Sequence, residues 1–309
     1  MAIVSGVQEA LDLTTRLLVD PGDRVLLEEP GYDGAERVFR AAGARIVSVA
    51  VDQEGMNVPP PRLRDVRLAY VTPAHQFPTG VAMSLPRRLA LLEWARRCGC
   101  RIFEDDYDSE FRYSGRPIPA LQGLDGGNTV IFLGSFSKVL FPALRLGYVV
   151  VPEDLMSAFE AAKSVRNRYS ALLEQRVLAE FIGAGHFGRH LRRMREIYAE
   201  RSAVLVEAVA RGLAGRLELA PVEAGLQATA WLPPGASDVT IAELAARHDL
   251  EVTSVSRYCR ATPERQGLQL GFAAIDADEI RRGVGELQRV FDDVASGPKS
   301  RHRSGLREG

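Results

Sequence analysis

Hydrophobic and polar positions in the first half of the chain alternate between short apolar runs and longer segments of helical periodicity. The apolar runs predict strands at residues 24–28, 45–49, 68–71, 101–104, 130–133 and 146–151. Helical periodicity predicts helices at 33–42, 86–98 and 154–165, and Ser5 with Gln8 matches a capping box that starts a further helix at Ser5. Strands that alternate with helices predict an α/β fold, with a mostly parallel sheet, helices on both faces and ligands at the carboxyl ends of the strands.

The pattern changes at about Ser170. Residues 172–183 and 186–213 predict a shorter and a long amphipathic helix, and the long helix is able to bridge two domains. Strands at 217–219, 226–232, 250–253 and 268–272 and helices at 240–248 and 276–294 then predict a smaller α+β unit. We therefore expect a large domain at 1–185, the bridging helix with a small C-terminal domain at 186–295, and a disordered tail at 296–309.

The composition is typical of a globular protein in water, with 46% hydrophobic and 26% charged residues among 309. No run of about 18 apolar residues offers a membrane span, and the first residues lack a signal-peptide pattern, so we expect a cytoplasmic protein. A net charge of −1 leaves no global basic field for nucleic acid, and the basic residues after 298 are interpreted as part of a solvated tail. Cys98, Cys100 and Cys259 lack the spacing of a zinc site, so we expect free thiols and no metal.

Lysine is rare in this chain. Among the 39 basic residues only Lys138, Lys163 and Lys299 are lysines. Arginine keeps its proton, whereas an amine in a desolvated pocket can lose its charge and form an imine with a carbonyl. Lys138 lies among serines and apolar residues in the segment 134–141, which makes it the candidate for such a bond.

An aldehyde cofactor with a pyridine ring would explain several residues elsewhere. The ring nitrogen keeps its proton best opposite a carboxylate, which Asp105 or Asp106 would supply, although an acidic surface loop or a metal site is the alternative. Tyr32 would stack on the ring, but a Pro-Gly turn alone explains the residues before it. His75 lies in a rigid loop after a strand and would stack on or hydrogen-bond the cofactor, unless a neighbouring backbone group satisfies it.

A phosphate on the same cofactor would need backbone amides at a helix start, small hydroxyls and a guanidinium. The candidates for these contacts are Ser5, Gly6, Val7, Ser135, Ser137 and Arg145. Taken singly they have simpler explanations, because Ser5 would also serve as a plain N-cap and Arg145 would also pair with a surface acid. Together they indicate one ligand.

In this order the segments resemble the fold-type I aminotransferases that use pyridoxal 5′-phosphate. They resemble more closely the aminotransferase-like domain of the MocR/GabR/PdxR regulators of the GntR type. The closer resemblance depends on SGVQEALDL at 5–13, TPAHQFPTG at 72–80 and EDDYDSEFRY at 104–113, and the lysine segment 134–148 completes the order. It spans residue 3 to about 294 and implies a homodimer.

The resemblance implies a role for individual residues. Lys138 would be the Schiff-base lysine, Asp105 the partner of the pyridine nitrogen with Asp106 as second choice, and Tyr107 would lie near the ring hydroxyl. The remaining contacts to the cofactor would come from Tyr32 on the ring and from Gly6, Val7, Ser135, Ser137 and Arg145 on the phosphate. Arg257 matches the region of an arginine for a substrate or effector carboxylate, with Arg260 as a competitor and a plain surface arginine as the alternative.

Two features depart from the family pattern. Ordinary aminotransferases of this fold commonly have asparagine before Pro-Thr-Gly, whereas this chain has Phe77, which favours the regulator branch. The regulators also carry a winged-helix DNA-binding domain upstream, whereas this sequence begins five residues before Gly6. We therefore expect a fragment or a misassigned start codon, and no contact of the given chain with nucleic acid.

Two functions would use the same residues. In one, the domain senses an amino acid or amine, and exchange of the lysine bond favours one domain arrangement over another. In the other, a class I/II aminotransferase, the freed amine of Lys138 removes the α-proton while the protonated ring stores the electrons, and a keto acid leaves. The closer resemblance favours sensing. A nucleotide-binding α/β protein is a weaker third alternative, because no Gly-x-Gly-x-x-Gly turn follows the first strand.

Overall fold

A computed structural model of the chain describes residues 1–115, 118–166 and 170–296. The strands of its larger sheet are β1 (Ala2–Val4), β2 (Arg24–Glu29), β3 (Arg45–Asp52), β4 (Gly55–Met56), β5 (Val66–Val71), β6 (Arg101–Asp106), β7 (Val130–Ser135) and β8 (Gly147–Val150). They are ordered β1-β8-β7-β6-β5-β2-β3-β4. The strands β3, β2, β5, β6 and β7 are parallel, while β8 and β1 extend the sheet antiparallel at one end and β4 does so at the other.

Helices cover both faces of this sheet. They are α1 (Val7–Leu18), α2 (Asp33–Ala41), α3 (Leu85–Cys98), α4 (Leu121–Asp125), α5 (Phe136–Val139) and α6 (Glu153–Arg166). One face packs Leu11, Phe39 and Phe159 from α1, α2 and α6 in one core cluster, and the other packs Leu91 and Leu121 from α3 and α4 in a second. Removing these side chains from water is the main stabilising contribution. The predicted α/β fold is confirmed.

The second half of the chain forms a smaller sheet covered by helices. Its elements are α7 (Leu172–Gly183), α8 (His186–Gly212), β9 (Gln227–Trp231), α9 (Asp238–Arg247), β10 (Thr253–Ser254), β11 (Gly267–Gly271) and α10 (Ala277–Ser296). The antiparallel order is β10-β11-β9, and one core cluster joins this sheet to α8, α9 and α10. The domain limits remain a prediction, and the predicted tail lies beyond the described residues except for residue 296.

Several local predictions were wrong. Helix α1 begins at Val7, because Gly6 is its N-cap with φ 110° and no side-chain cap, and the backbone N–H of Ser5 donates to the Glu9 carboxylate instead. A residue with φ in this region is strained unless it is glycine. Residues 217–219 contribute only an isolated bridge between Glu218 and Trp231, and the strand predicted at 250–253 is reduced to Thr253–Ser254.

The longest described helix, α8, has 27 residues and is rich in arginine. Neither it nor any other helix in the described ranges has an apolar stretch that would cross a bilayer. Cys98, Cys100 and Cys259 are all free thiols.

Candidate functional site

A cavity of about 510 Å³ opens at the carboxyl ends of the parallel strands. Tyr32 reaches it from the loop after β2, Tyr70 from β5, Asp105 from β6 and Ser135 from the end of β7. This is the place where an open parallel sheet gathers its ligands. A wider surface groove of about 890 Å³ beside Trp231 contains none of the site residues that the sequence predicts.

Lys138 enters the cavity from α5, a single helical turn that directly follows β7. Ser135 is the N-cap of this turn, and its hydroxyl accepts the backbone N–H of Ser137 at 3.3 Å. Within the described part of the chain the Lys138 amine has no hydrogen-bond or ion-pair partner. The side chain is exposed, so in this single chain it is not desolvated as the sequence analysis assumed.

Asp105 is a buried carboxylate with one hydrogen-bonded oxygen and one oxygen without a described partner. The Tyr70 hydroxyl donates to Asp105 Oδ2 at 2.6 Å, while Oδ1 is buried and meets no partner among the described residues. Burial, and then the neighbouring acid charges, raise the pKa of Asp105 to about 7 despite the Tyr70 bond. Asp106 does not line the cavity and instead accepts from the Ser109 backbone and hydroxyl. Of the two aspartates, Asp105 is thus the one that lines the cavity and has an oxygen without a described partner, and its role toward a ring nitrogen stays a prediction.

Tyr107 lines the cavity with its hydroxyl directed at a histidine behind it. The hydroxyl lies 3.1 Å from His75 Nδ1, which is also 2.9 Å from Asp108 Oδ2. His75 is buried and is not among the cavity-lining residues. Asp108 and Tyr107 both contact this histidine, which lies behind Tyr107, and its predicted contact with the cofactor stays a prediction.

The start of α1 and a guanidinium lie together at one part of the cavity. Gly6, Val7, Ser137 and Arg145 all line it. A Cβ on Gly6 would stand 3.7 Å from the Arg145 guanidinium, which is ordinary contact, so the guanidinium lies over the helix start. Ser137 Oγ is buried and has no partner in the described part of the molecule. Ser5 is not among the lining residues, and its predicted contact with the phosphate stays a prediction.

These positions fit a phosphate. Helix-start amides favour an anion, and a guanidinium and a hydroxyl add charge-assisted hydrogen bonds. The unpartnered hydroxyl of Ser137 and the unpartnered Oδ1 of Asp105 are the groups that a phosphate and a protonated ring nitrogen would satisfy.

Aromatic rings form one wall of the cavity. The Phe77 ring meets Tyr258 edge-on at 4.8 Å and Tyr32 at 5.8 Å between ring centroids. The Tyr32 hydroxyl accepts from Gln8 Nε2 at 3.1 Å, which fixes its ring at the cavity edge. Sequence reasoning named Tyr32 but missed Tyr70, Tyr258 and Gln8 as lining residues.

The two arginines proposed for a substrate carboxylate have different surroundings. Arg257 lines the cavity, is exposed, and makes no ion pair with any described residue. Arg260 pairs with Glu29 at 2.9 Å and with Glu36 at 3.3 Å, and it also donates to Ser48 Oγ at 2.8 Å. Only Arg257 is free to meet a ligand in the cavity.

A buried acid ties two site loops together. Glu28 accepts from the Thr72 hydroxyl at 2.6 Å and from Gln76 Nε2 at 3.1 Å. Gln76 also donates to the carbonyl of Pro30, so the loop that carries Tyr32 and the loop of residues 72–80 are held as a unit. Burial raises the pKa of Glu28 to about 7. No pattern in the sequence predicts this network.

A mostly parallel sheet with a lysine, a buried aspartate and a phosphate-type pocket at its strand ends defines the fold-type I class. Residues 1–287 match the aminotransferase class I and II family, and the chain belongs to this family. Membership implies pyridoxal phosphate as the cofactor.

Curated relatives include both regulators and enzymes. The probable rhizopine catabolism regulatory protein MocR of Rhizobium meliloti is 42% identical over 94% of this chain and 59% of its own length. The pyridoxine biosynthesis transcriptional regulator PdxR of Corynebacterium glutamicum is 31% identical over 92% and 61%. The 2-aminoadipate transaminase of Thermus thermophilus is 30% identical over 94% and 74%. The chain thus spans about three fifths of the length of these regulators, and the predicted resemblance is confirmed.

Solved structures agree with the fold. The kynurenine aminotransferase of Pyrococcus horikoshii, solved with PMP, superposes with a TM-score of 0.86 at 28% identity, covering 94% of this chain and 74% of that one. LysN of Thermus thermophilus, solved with N-(5′-phosphopyridoxyl)-L-leucine, gives 0.85 at 30% identity, covering 95% and 77%.

Proposed function

We propose that this chain is the effector-binding domain of a MocR-type transcriptional regulator, and that it holds pyridoxal phosphate through Lys138 and responds to an amino acid or amine. The observation that carries the proposal is the pair of unpartnered buried atoms, Asp105 Oδ1 and Ser137 Oγ, within one cavity that also contains the Lys138 amine. In the described residues no protein group satisfies either atom, and one phosphorylated pyridine ligand would satisfy both.

Each residue has a defined task in this proposal. Pyridoxal phosphate, when bound, supplies an aldehyde for an amine and a protonated ring that withdraws electrons. Asp105 would accept the ring N–H, Tyr107 would hold the ring hydroxyl, and Tyr32 would cover the ring. Ser135, Ser137, Arg145 and the amides of Gly6 and Val7 hold the phosphate. Lys138 would supply the amine that holds the aldehyde carbon, and Arg257 would pair with the carboxylate of the effector.

The relatives favour sensing over turnover. The regulators MocR and PdxR cover nearly the whole chain, and MocR at 42% identity is more similar to it than the transaminase relative at 30%. A catalytically active aminotransferase is the second candidate, because the Lys138 amine has no partner within the described ranges and is free to move a proton. Two copies of the chain in a homodimer remain part of the proposal.

The proposal is tested by mixing the purified chain with pyridoxal phosphate and recording visible absorbance, followed by borohydride reduction and peptide mapping. We expect a yellow complex and a reduced adduct on Lys138. The variant K163A is the matched control, because Lys163 lies on α6 and donates to Ser170 Oγ at 2.7 Å, away from the cavity. The adduct should be absent in K138A and present in K163A. An adduct that persists in K138A would overturn the proposal.

A keto-acid assay separates the two functions. With several amino donors, a sensing domain gives a spectral change without continued release of keto acid, whereas an aminotransferase releases it steadily in the presence of a 2-oxo acid.

A further inference from the structure

We propose that Tyr70 is a positioning residue that fixes the Asp105 carboxylate, holding Oδ2 so that Oδ1 is presented to the ring nitrogen of the cofactor. The inference rests on the proposed cofactor site, and among the described residues only Tyr70 makes a hydrogen bond to the Asp105 carboxylate.

The strand register brings the two side chains together. Strands β5 and β6 are parallel, with Tyr70 opposite Phe103. Side chains two residues apart on a strand share a face, so Asp105 lies on the same face as Phe103, one step toward the strand end. The rings of Tyr70 and Phe103 are stacked with centroids 5.9 Å apart and an interplanar angle of 21°. This stack directs the Tyr70 hydroxyl along the sheet to Asp105.

The hydroxyl acts as a donor. Tyr70 is 1% exposed and Asp105 is 4% exposed, and their oxygens lie 2.6 Å apart. Burial and the Asp105 charge raise the pKa of Tyr70 well above its usual value, so the phenol keeps its proton. A buried carboxylate without a donor is costly, and this hydrogen bond to the Asp105 carboxylate is short.

Charges around Asp105 explain why one donor matters. The charges of Asp106, Asp108 and Glu28 add to burial in disfavouring the ionised form of Asp105. The Tyr70 bond is the interaction that opposes them. Without this hydroxyl, Asp105 would keep its proton to higher pH and would offer a ring N–H no charged acceptor.

The test is the dissociation constant of pyridoxal phosphate for Y70F and the native chain across pH. Y70F keeps the ring stack and removes only the hydroxyl. We expect Y70F to bind pyridoxal phosphate about tenfold more weakly than the native chain near neutral pH, because the loss of a hydrogen bond to a charged group typically lowers affinity by about this factor. We also expect the affinity of Y70F to begin to fall at a higher pH than that of the native chain. The affinities of the two proteins should converge at still higher pH. The matched control is Y148F, because the Tyr148 hydroxyl makes no hydrogen bond to a described residue and does not line the cavity.

A double-mutant cycle with D105N identifies the route of the effect. If Tyr70 acts through Asp105, Y70F adds no further loss in the D105N background. In the chain without cofactor, carbon NMR titration of Asp105 should give a higher pKa in Y70F than in the native chain. The inference would be overturned if Y70F bound pyridoxal phosphate as tightly as the native chain at every pH. It would also be overturned if Y70F weakened binding by the same factor in the D105N background as in the native chain and left the pH midpoint of binding unchanged. Failure of the native chain to bind pyridoxal phosphate would overturn the proposed function with it, whereas the other two results leave that function standing.

Discussion

Gly225 lies directly against the His75 imidazole, so close that a Cβ atom on Gly225 would stand 2.1 Å from His75 Cε1. Gly225 precedes β9 of the smaller sheet, whereas His75 belongs to the loop after β5 of the larger sheet. The backbone N–H of Gly225 also donates to the Phe111 carbonyl at 2.9 Å. Because His75 contacts the Tyr107 hydroxyl, a continuous path of contacts links the cavity to the smaller sheet.

Replacing Gly225 with alanine should therefore destabilise the protein. The added methyl group overlaps the His75 ring, and φ at this position is 90°, so overpacking and backbone strain add to about 3 kcal/mol. Chemical denaturation measures the change. G235A is the control, because Gly235 has φ 87° with no atom within 4 Å of the added Cβ, and it should lose only the backbone part, about 1 kcal/mol. Equal losses in the two variants would contradict the contact with His75.

Arg257 and Arg260 should separate binding from stability. R257A removes a cavity arginine without a described ion-pair partner, so we expect unfolding free energy to change by no more than about 0.5 kcal/mol. Amino acid binding to the cofactor-loaded chain should weaken about tenfold or more, measured by spectral titration.

R260A should behave in the opposite way. Arg260 pairs with Glu29, whose side chain is 16% exposed, and its removal leaves that carboxylate without its guanidinium. Breaking such a pair costs about 3 kcal/mol of stability. A large loss of stability in R257A, with none in R260A, would reverse the assignment of the two arginines.

Glu28 should make stability depend on pH. Its pKa is raised by burial from 4.5 to about 7, so between these values the folded chain binds a proton that the unfolded chain releases. The stabilising contribution of Glu28 is thus fully present below about pH 4.5 and is lost as the pH rises through about 7. Asp105 and Glu104, with pKa values also raised to about 7, act in the same direction.

The variant E28Q tests this dependence in the chain without cofactor. The glutamine does not titrate, so stability should fall less steeply between pH 5 and pH 8 than in the native chain, by on the order of 2 kcal/mol. Urea denaturation at several pH values gives the slope. The control E93Q, on the exposed side of α3, should keep the native dependence of stability on pH. If the plot of stability against pH for E28Q ran parallel to the native one, Glu28 would titrate as an ordinary acid.

The sequence predicted those parts of the fold and site that depend on local pattern. The apolar runs predicted the central strands, and the chemistry of an imine-forming amine indicated Lys138, which lines the cavity. Tyr70 was not predicted, because a tyrosine inside the apolar run VRLAYV indicates a residue of the hydrophobic core. Its hydrogen bond to Asp105 depends on the register of β5 against β6. Strands β1 and β4 were missed because three and two residues carry no measurable period.

Ser137 and Ser135 should differ in their effects on the stability of the chain without cofactor. Ser137 Oγ is buried and makes no hydrogen bond within the described residues, so S137A should leave the chain without cofactor equally stable or slightly more stable. The same variant should bind pyridoxal phosphate about tenfold more weakly, yet bind pyridoxal, which lacks the phosphate, as the native chain does. S135A removes the N-cap hydroxyl that accepts from Ser137 N, and it should cost about 1 kcal/mol of stability. Spectral titration with both vitamers and urea denaturation make the comparison. An equal loss of affinity for pyridoxal in S137A would remove Ser137 from the phosphate site.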